Sequence, residues 1–118
     1  DPNFADVYEK RNSAIISCGT TMSKYTGARG KSSTNDASAE FVGFIRRLFA
    51  ENNVIWQTAE LGKVDAGGGG TVAKYVAKHN IDTIDLGVPV ISMHAPYEVV
   101  SKVDVYETYR AFCAFCKN

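Results

Sequence analysis

The sequence predicts an α/β fold with a parallel or mixed sheet and helices packed on its faces. Two observations predict it. Short β-branched and apolar runs alternate with segments whose apolar residues recur every three to four positions. The resulting order, strand then helix three times over, is that of a parallel or mixed sheet with helices packed on its faces. The chain has 118 residues with ordinary apolar content, the material of about one domain or less, and is expected to be a single segment over 1–118.

Asp1 to Asn12 is polar, contains Pro2 and reads as an irregular entry segment. Ile15, Ile16, Thr20 and Thr21 favour a strand over Ala14 to Tyr25, bent near Gly19. Thr26 to Asn35 is a loop by composition, with Thr34 and Asn35 as N-cap candidates for the next helix. That helix carries Ala37, Phe41, Ile45, Leu48 and Phe49 on one stripe and ends near Asn52-Asn53. Val54 to Thr58 is a short strand. Gly67 to Gly70 then lead into a second helix with Val72, Tyr75, Val76 and His79 on one face. Asp82 to Met93 is short apolar strand material broken at Gly87-Val88-Pro89, and Pro89 belongs at a strand start or on an edge because it cannot donate to a ladder. A last helix opens at Ser101, with Asp104 three residues on as a capping box, and runs to about Cys116.

Thirteen basic and thirteen acidic residues are interspersed along the chain, so the basic stripe of a nucleic-acid binder is absent. No apolar stretch approaches the roughly 20 residues that span a bilayer, and no signal peptide is visible. Three unevenly spaced cysteines, Cys18, Cys113 and Cys116, do not make a secreted disulfide framework. A cytoplasmic setting is expected. The start at Asp1-Pro2, without Met and close to strand-like sequence, points to a piece of something longer.

Several motifs carry possible chemistry. Thr26-Gly27-Ala28-Arg29-Gly30-Lys31-Ser32 contains Gly-Lys-Ser, but Tyr25 stands where a phosphate loop needs its first glycine, so a basic surface loop is expected instead. Gly67 to Gly70 precede a helix that Thr71 can help cap. Free amides there would suit a carboxylate, a phosphate or a developing oxyanion, and a plain strand-to-helix turn needs the same glycines. His94 follows Val90-Ile91 and precedes Ala95-Pro96, which places it at a strand's carboxyl end, where an imidazole serves either as a zinc ligand or as a hydrogen-bonded structural group. His79, at a helix C-terminus, reads as structural. Cys113 and Cys116 lack the second pair that a tetrahedral site needs, and core packing beside Tyr106, Tyr109, Phe112 and Phe115 is expected. Asp85 and Glu98 could join a metal site by position alone.

Asp65 with Gly69-Gly70-Thr71, then Asp82-Thr83-Ile84-Asp85-Leu86-Gly87-Val88-Pro89, then Ser92-Met93-His94, resembles the C-terminal half of the aspartyl aminopeptidases, family eighteen of the metallopeptidases. Lys24-Tyr25-Thr26-Gly27, Asn35 to Glu40 and Glu60 to Asp65 look like its bacterial branch, and the resemblance covers nearly the whole chain. It implies a cytosolic hydrolase that removes N-terminal residues from peptides, acidic ones in the best-known branch. It also implies two metal ions, usually zinc with cobalt or manganese as substitutes, a fold in which this segment is part of a three-layer α/β/α sandwich with a mixed sheet, and a large homo-oligomer, typically a dodecamer.

By the same resemblance His94 matches the last metal ligand, Asp65, Gly69, Gly70 and Thr71 match the wall of the substrate pocket, and Lys24 matches a lysine near the substrate. The family's other ligands and its general base belong to sequence upstream of the matched region, so no catalytic base is assigned here and the isolated segment is expected to be inactive. Lys63-Val64-Asp65 stands where the acidic-specific branch more often has Arg-Asn-Asp, and Ala95 where relatives commonly have Ser. The competing expectation is a non-catalytic α/β module that binds an anion or a protein partner through the Gly67 to Gly70 turn.

Overall fold

The computed structural model describes residues 6, 8–26, 35–60 and 71–118. After a 3-10 turn over Lys10–Asn12, the elements run β1 (Thr20–Ser23), β2 (Tyr25–Thr26), β3 (Asn35–Asp36), α1 (Ala39–Glu51), β4 (Trp56–Thr58), α2 (Ala73–Ala77), β5 (Asp85–Gly87), β6 (Val90–Ile91), β7 (Val99–Val100) and α3 (Lys102–Lys117). β1 is the middle strand of a mixed sheet. It lies parallel to β4, with Thr20 opposite Trp56, and antiparallel to β5, with Ser23 opposite Asp85. The pairs β2–β3 and β6–β7 form two small antiparallel ribbons beside it.

The two-residue period of a strand divides β1 between two environments. Met22 joins Ile45, Phe49, Val54 and Ala111 in the core, and Thr20 accepts a hydrogen bond from Thr108 of α3, so this face is covered by α1 and α3. Thr21 and Ser23 point the other way and line a cavity.

Helix α1 forms where the apolar stripe places it, burying Ile45, Leu48 and Phe49. Its N-cap is Ser38, whose hydroxyl accepts from the Phe41 N–H, and not Thr34 or Asn35. Asn35 is instead strand residue in β3, and Thr34 lies outside the described residues. At the other end Asn53 takes a left-handed φ of 52°, with Val54 N–H bonded to Phe49 O and Asn53 N–H to Ala50 O. These are the two bonds of a Schellman motif, and Val54 and Phe49 also supply its hydrophobic contact.

Three further expectations are corrected. Ala14 to Gly19 is not strand: the chain turns at residues 16–17, with Ser17 at φ 68° and Gly19 at φ 95°. A Cβ on Gly19 would stand 2.3 Å from Ile55 O, so the close approach of the strand entries requires glycine. In the short α2 the buried residue is Ala73, while Val72 and Tyr75 are exposed. His79 is exposed in the turn after it. The capping box at α3 does not form either. Ser101 makes no side-chain cap bond, and the two carboxylate oxygens of fully buried Asp104 accept from the N–H groups of Ser17 and Gly19 at 2.7 and 2.8 Å.

The same inward face of α3 carries Glu107, which accepts from Ile55 N–H at 2.8 Å, and Arg110, which pairs with Glu107 and donates to Asn52 O. Polar contacts therefore hold this helix to the sheet, and its aromatic side looks outward: Tyr106, Tyr109, Phe112 and Phe115 are all exposed. Cys113 is half-buried and Cys116 exposed, so the expected core packing of the two thiols is not found.

Asp104→Ala leaves the buried Gly19 N–H without an acceptor and is expected to destabilise the fold by about 3 kcal/mol. Urea unfolding of the two proteins measures this, and Asp104→Asn, which keeps one acceptor oxygen, should fall between them.

Candidate functional site

The face of the sheet opposite α1 and α3 opens onto a cavity of about 960 Å³. Thr21, Ser23, Glu60, Thr71 and Asp85 give it polar groups around the carboxyl end of β1, Lys10 adds a charged one, and Ile15, Ile16 and most of residues 86–93 make its lining apolar. The register explains the cluster. Asp85 opens β5 directly across from Ser23, the last residue of β1, and Ser23 donates to Ala59 O at 2.7 Å just beyond the end of β4. Thr71 donates to the Asp85 carboxylate at 2.5 Å, and its oxygen accepts from Ala73 N–H, so it helps to cap α2 as its position predicted.

Glu60 is the group in this cavity that sequence reasoning passed over. Its carboxyl is raised above the ordinary value of 4.5, chiefly by burial. A hydrogen bond from the Tyr25 backbone N–H and the charge of Lys24 oppose that shift, and the charge of Asp36 adds to it. Among the described residues its Oε2 is buried without a hydrogen-bond partner, as is Thr21 Oγ1 on the same cavity. The sequence signal was slight: one acid placed two residues past a three-residue strand.

Lys24 does not line the cavity. It pairs with Asp36 in an exposed contact next to the β2–β3 ribbon. Asp65, Gly69 and Gly70, with the whole Gly67 to Gly70 turn, lie outside the described residues, as do residues 27–34 of the basic loop.

His94 is exposed on the loop between β6 and β7, just past the end of β6. Its neighbours Met93 and Ala95 line the same cavity as Thr71 and Asp85, although His94 itself does not. The strand it follows pairs with β7 in a separate ribbon, and β5 before it runs antiparallel to β1. The expectation of a ligand-binding rim at the carboxyl ends of parallel strands therefore applies to Ser23 and Glu60, not to His94. Among the described residues the one hydrogen bond of His94 runs through its backbone N–H to Glu98, which leaves both ring nitrogens open. An imidazole in that state fits zinc as a donor. Among the described residues no three His, Cys, Asp or Glu side chains cluster closely enough to hold a metal, so they build no complete metal site around His94.

Residues 1–116 match the family described as aminopeptidase I zinc metalloprotease (M18). The chain belongs to the M18 family. It is 52% identical over its full length to a probable M18 family aminopeptidase 1 of Clostridium acetobutylicum and 50% identical to that of Thermotoga neapolitana. The crystal structure of aminopeptidase I from Clostridium acetobutylicum superposes with a TM-score of 0.92, covering all of this chain and 26% of that one. This chain thus spans about a quarter of the length of the relatives it matches. An M18 fold is also shared, at a TM-score of 0.73 and 23% identity, with a structure of the Saccharomyces cerevisiae mApe1 dodecamer. Among the described residues no helix of this M18 chain is long and apolar enough to cross a membrane.

A carboxyl whose pKa is higher folded than unfolded contributes stability that is complete below the unfolded value and lost as pH rises through the folded one. Glu60 is therefore expected to make the protein less stable as pH climbs from 4.5 through its raised pKa. Glu60→Gln should remove that decline, and thermal melts of both proteins from pH 4 to 8 are the measurement.

Proposed function

We propose that this chain is the C-terminal part of the catalytic domain of a zinc aminopeptidase that hydrolyses N-terminal residues from peptides. What carries the reading is the M18 match over residues 1–116, together with an imidazole held open to coordination at His94 beside the Thr71–Asp85 cavity. His94 supplies one metal ligand. The other ligands and the general base come from other parts of the longer protein, in line with the quarter of the relatives' length that this chain spans. Two metal ions, zinc by preference with cobalt or manganese as substitutes, supply Lewis-acid polarisation of the peptide carbonyl and an activated water when bound.

The part of the work done here is shaping and binding. Thr71, fixed by Asp85 and by the first turn of α2, forms with Asp65, Gly69 and Gly70 the wall that the substrate's N-terminal residue meets. Lys24 stands near the substrate in the complete enzyme, its charge moderated by Asp36. The enzyme works as a cytoplasmic homo-oligomer, a dodecamer as in the mApe1 structure.

In the longer protein, His94→Ala is expected to lower bound zinc and to reduce hydrolysis of N-terminal Asp, Glu or Leu amides by more than the roughly 10–100-fold that loss of an outer-shell partner costs. Metal analysis and amide assays with zinc, cobalt or manganese measure both. Retention of zinc and activity would overturn the ligand assignment, and an inactive wild type with every metal would overturn the aminopeptidase reading.

A further inference from the structure

The loop that carries His94 is a demanding piece of backbone. It spans residues 92–98 between the paired strands β6 and β7, with Ile91 opposite Val99. Within it Ser92 and His94 both take left-handed conformations, at φ 60° and 68°. For non-glycine residues each costs on the order of 1–3 kcal/mol and persists only where the surroundings over-determine it. Hydrogen bonds supply that determination. Ala95 N–H reaches back to Ser92 O at 3.0 Å, and His94 N–H donates to Glu98 Oε1 at 2.5 Å. The second is made to a carboxylate, the stronger of the two kinds.

The Glu98 carboxylate is therefore spent on the backbone of the very residue whose ring is open to metal. Its own side chain is exposed, so it adds nothing to the core. A change of φ at His94 from the left-handed to an ordinary basin swings the whole imidazole, whereas a zinc–nitrogen distance tolerates only about 0.2 Å.

We propose that Glu98 is a positioning residue for His94, holding the ligand's backbone in its left-handed conformation so that the imidazole is set before metal arrives. This rests on the assignment of His94 as a ligand. Outer groups that orient metal ligands typically change metal affinity by 10–100-fold when removed.

The test uses the longer protein and zinc titration against a competing chelator. Glu98→Ala is expected to weaken zinc binding about 10–100-fold, with the melting temperature of the zinc-free protein unchanged. Glu98→Gln keeps a side-chain oxygen able to accept the same bond and should restore most of the affinity. Exchange of the His94 amide hydrogen in the zinc-free protein should accelerate in the Ala variant and stay slow in the Gln variant. Wild-type zinc affinity in Glu98→Ala overturns the proposal, and so does a Gln variant as weak as the Ala variant, since that would mark Glu98 as a ligand in its own right. His94→Ala separates the two levels. If it binds zinc as wild type does, the ligand assignment falls and takes this proposal with it; if it loses zinc while Glu98→Ala does not, only the positioning role falls.

Discussion

Everything else in the structure depends on where β1 and β4 begin, and two buried carboxylates one helical turn apart set that. Asp104 holds the N–H groups of Ser17 and Gly19, and Glu107 holds that of Ile55. These are the entries to the two parallel strands, and they touch through Thr20 N–H on Ile55 O and through the close approach of Gly19 to Ile55. Hydrogen-bonded carboxylates are tolerated inside because they accept from backbone donors, and Asp104 thereby satisfies the buried Gly19 N–H. α3 thus acts as a clamp on the amino ends of the strands.

With those ends clamped, the opposite end of the sheet is left to the site. Ser23, Ala59 and Asp85 meet there because the register allows no other arrangement, and Thr71 and Glu60 are brought in by residues adjacent to the same strand ends. The His94 loop approaches this cavity from the far end of β5, through a ribbon that hydrogen-bonds only to itself among the described strands. Thr71 and the loop that carries His94 therefore belong to independently built units that border one cavity, the loop through Met93 and Ala95. This arrangement explains why the conformation of the loop needs its own support from Glu98.

Where local pattern and tertiary role coincide, the sequence was legible. The stripe of Phe41, Ile45, Leu48 and Phe49 faces the core, and Asn52-Asn53 ends the helix as the composition indicates. The α/β class and the M18 relationship followed from the same alternation and from the Asp65 to His94 motifs. Where polar groups do the packing, pattern misled. Asp104 reads locally as a capping residue and Cys113 and Cys116 as core, yet Asp104 and Glu107 are inside, Cys113 is half-buried and Cys116 is exposed. Nothing in a one-dimensional pattern shows that a carboxylate will find two backbone donors more than eighty residues away. Ile15 and Ile16 likewise look like strand, but Ser17 and Gly19 must turn left-handed to present those donors.

The outward rings of α3 have a consequence for cooperativity. In a helix held by its apolar side, loosening the packing and losing the hydrogen bonds are one event. Here they are partly separate, because Ala111 and Ala114 are the only apolar side chains α3 buries, the directional grip on the sheet is polar, and the large apolar side chains face away from it. The attachment of α3 is therefore governed by competition from water for Asp104 and Glu107, and it responds to denaturants that solvate peptide groups in a way that a purely apolar interface would not.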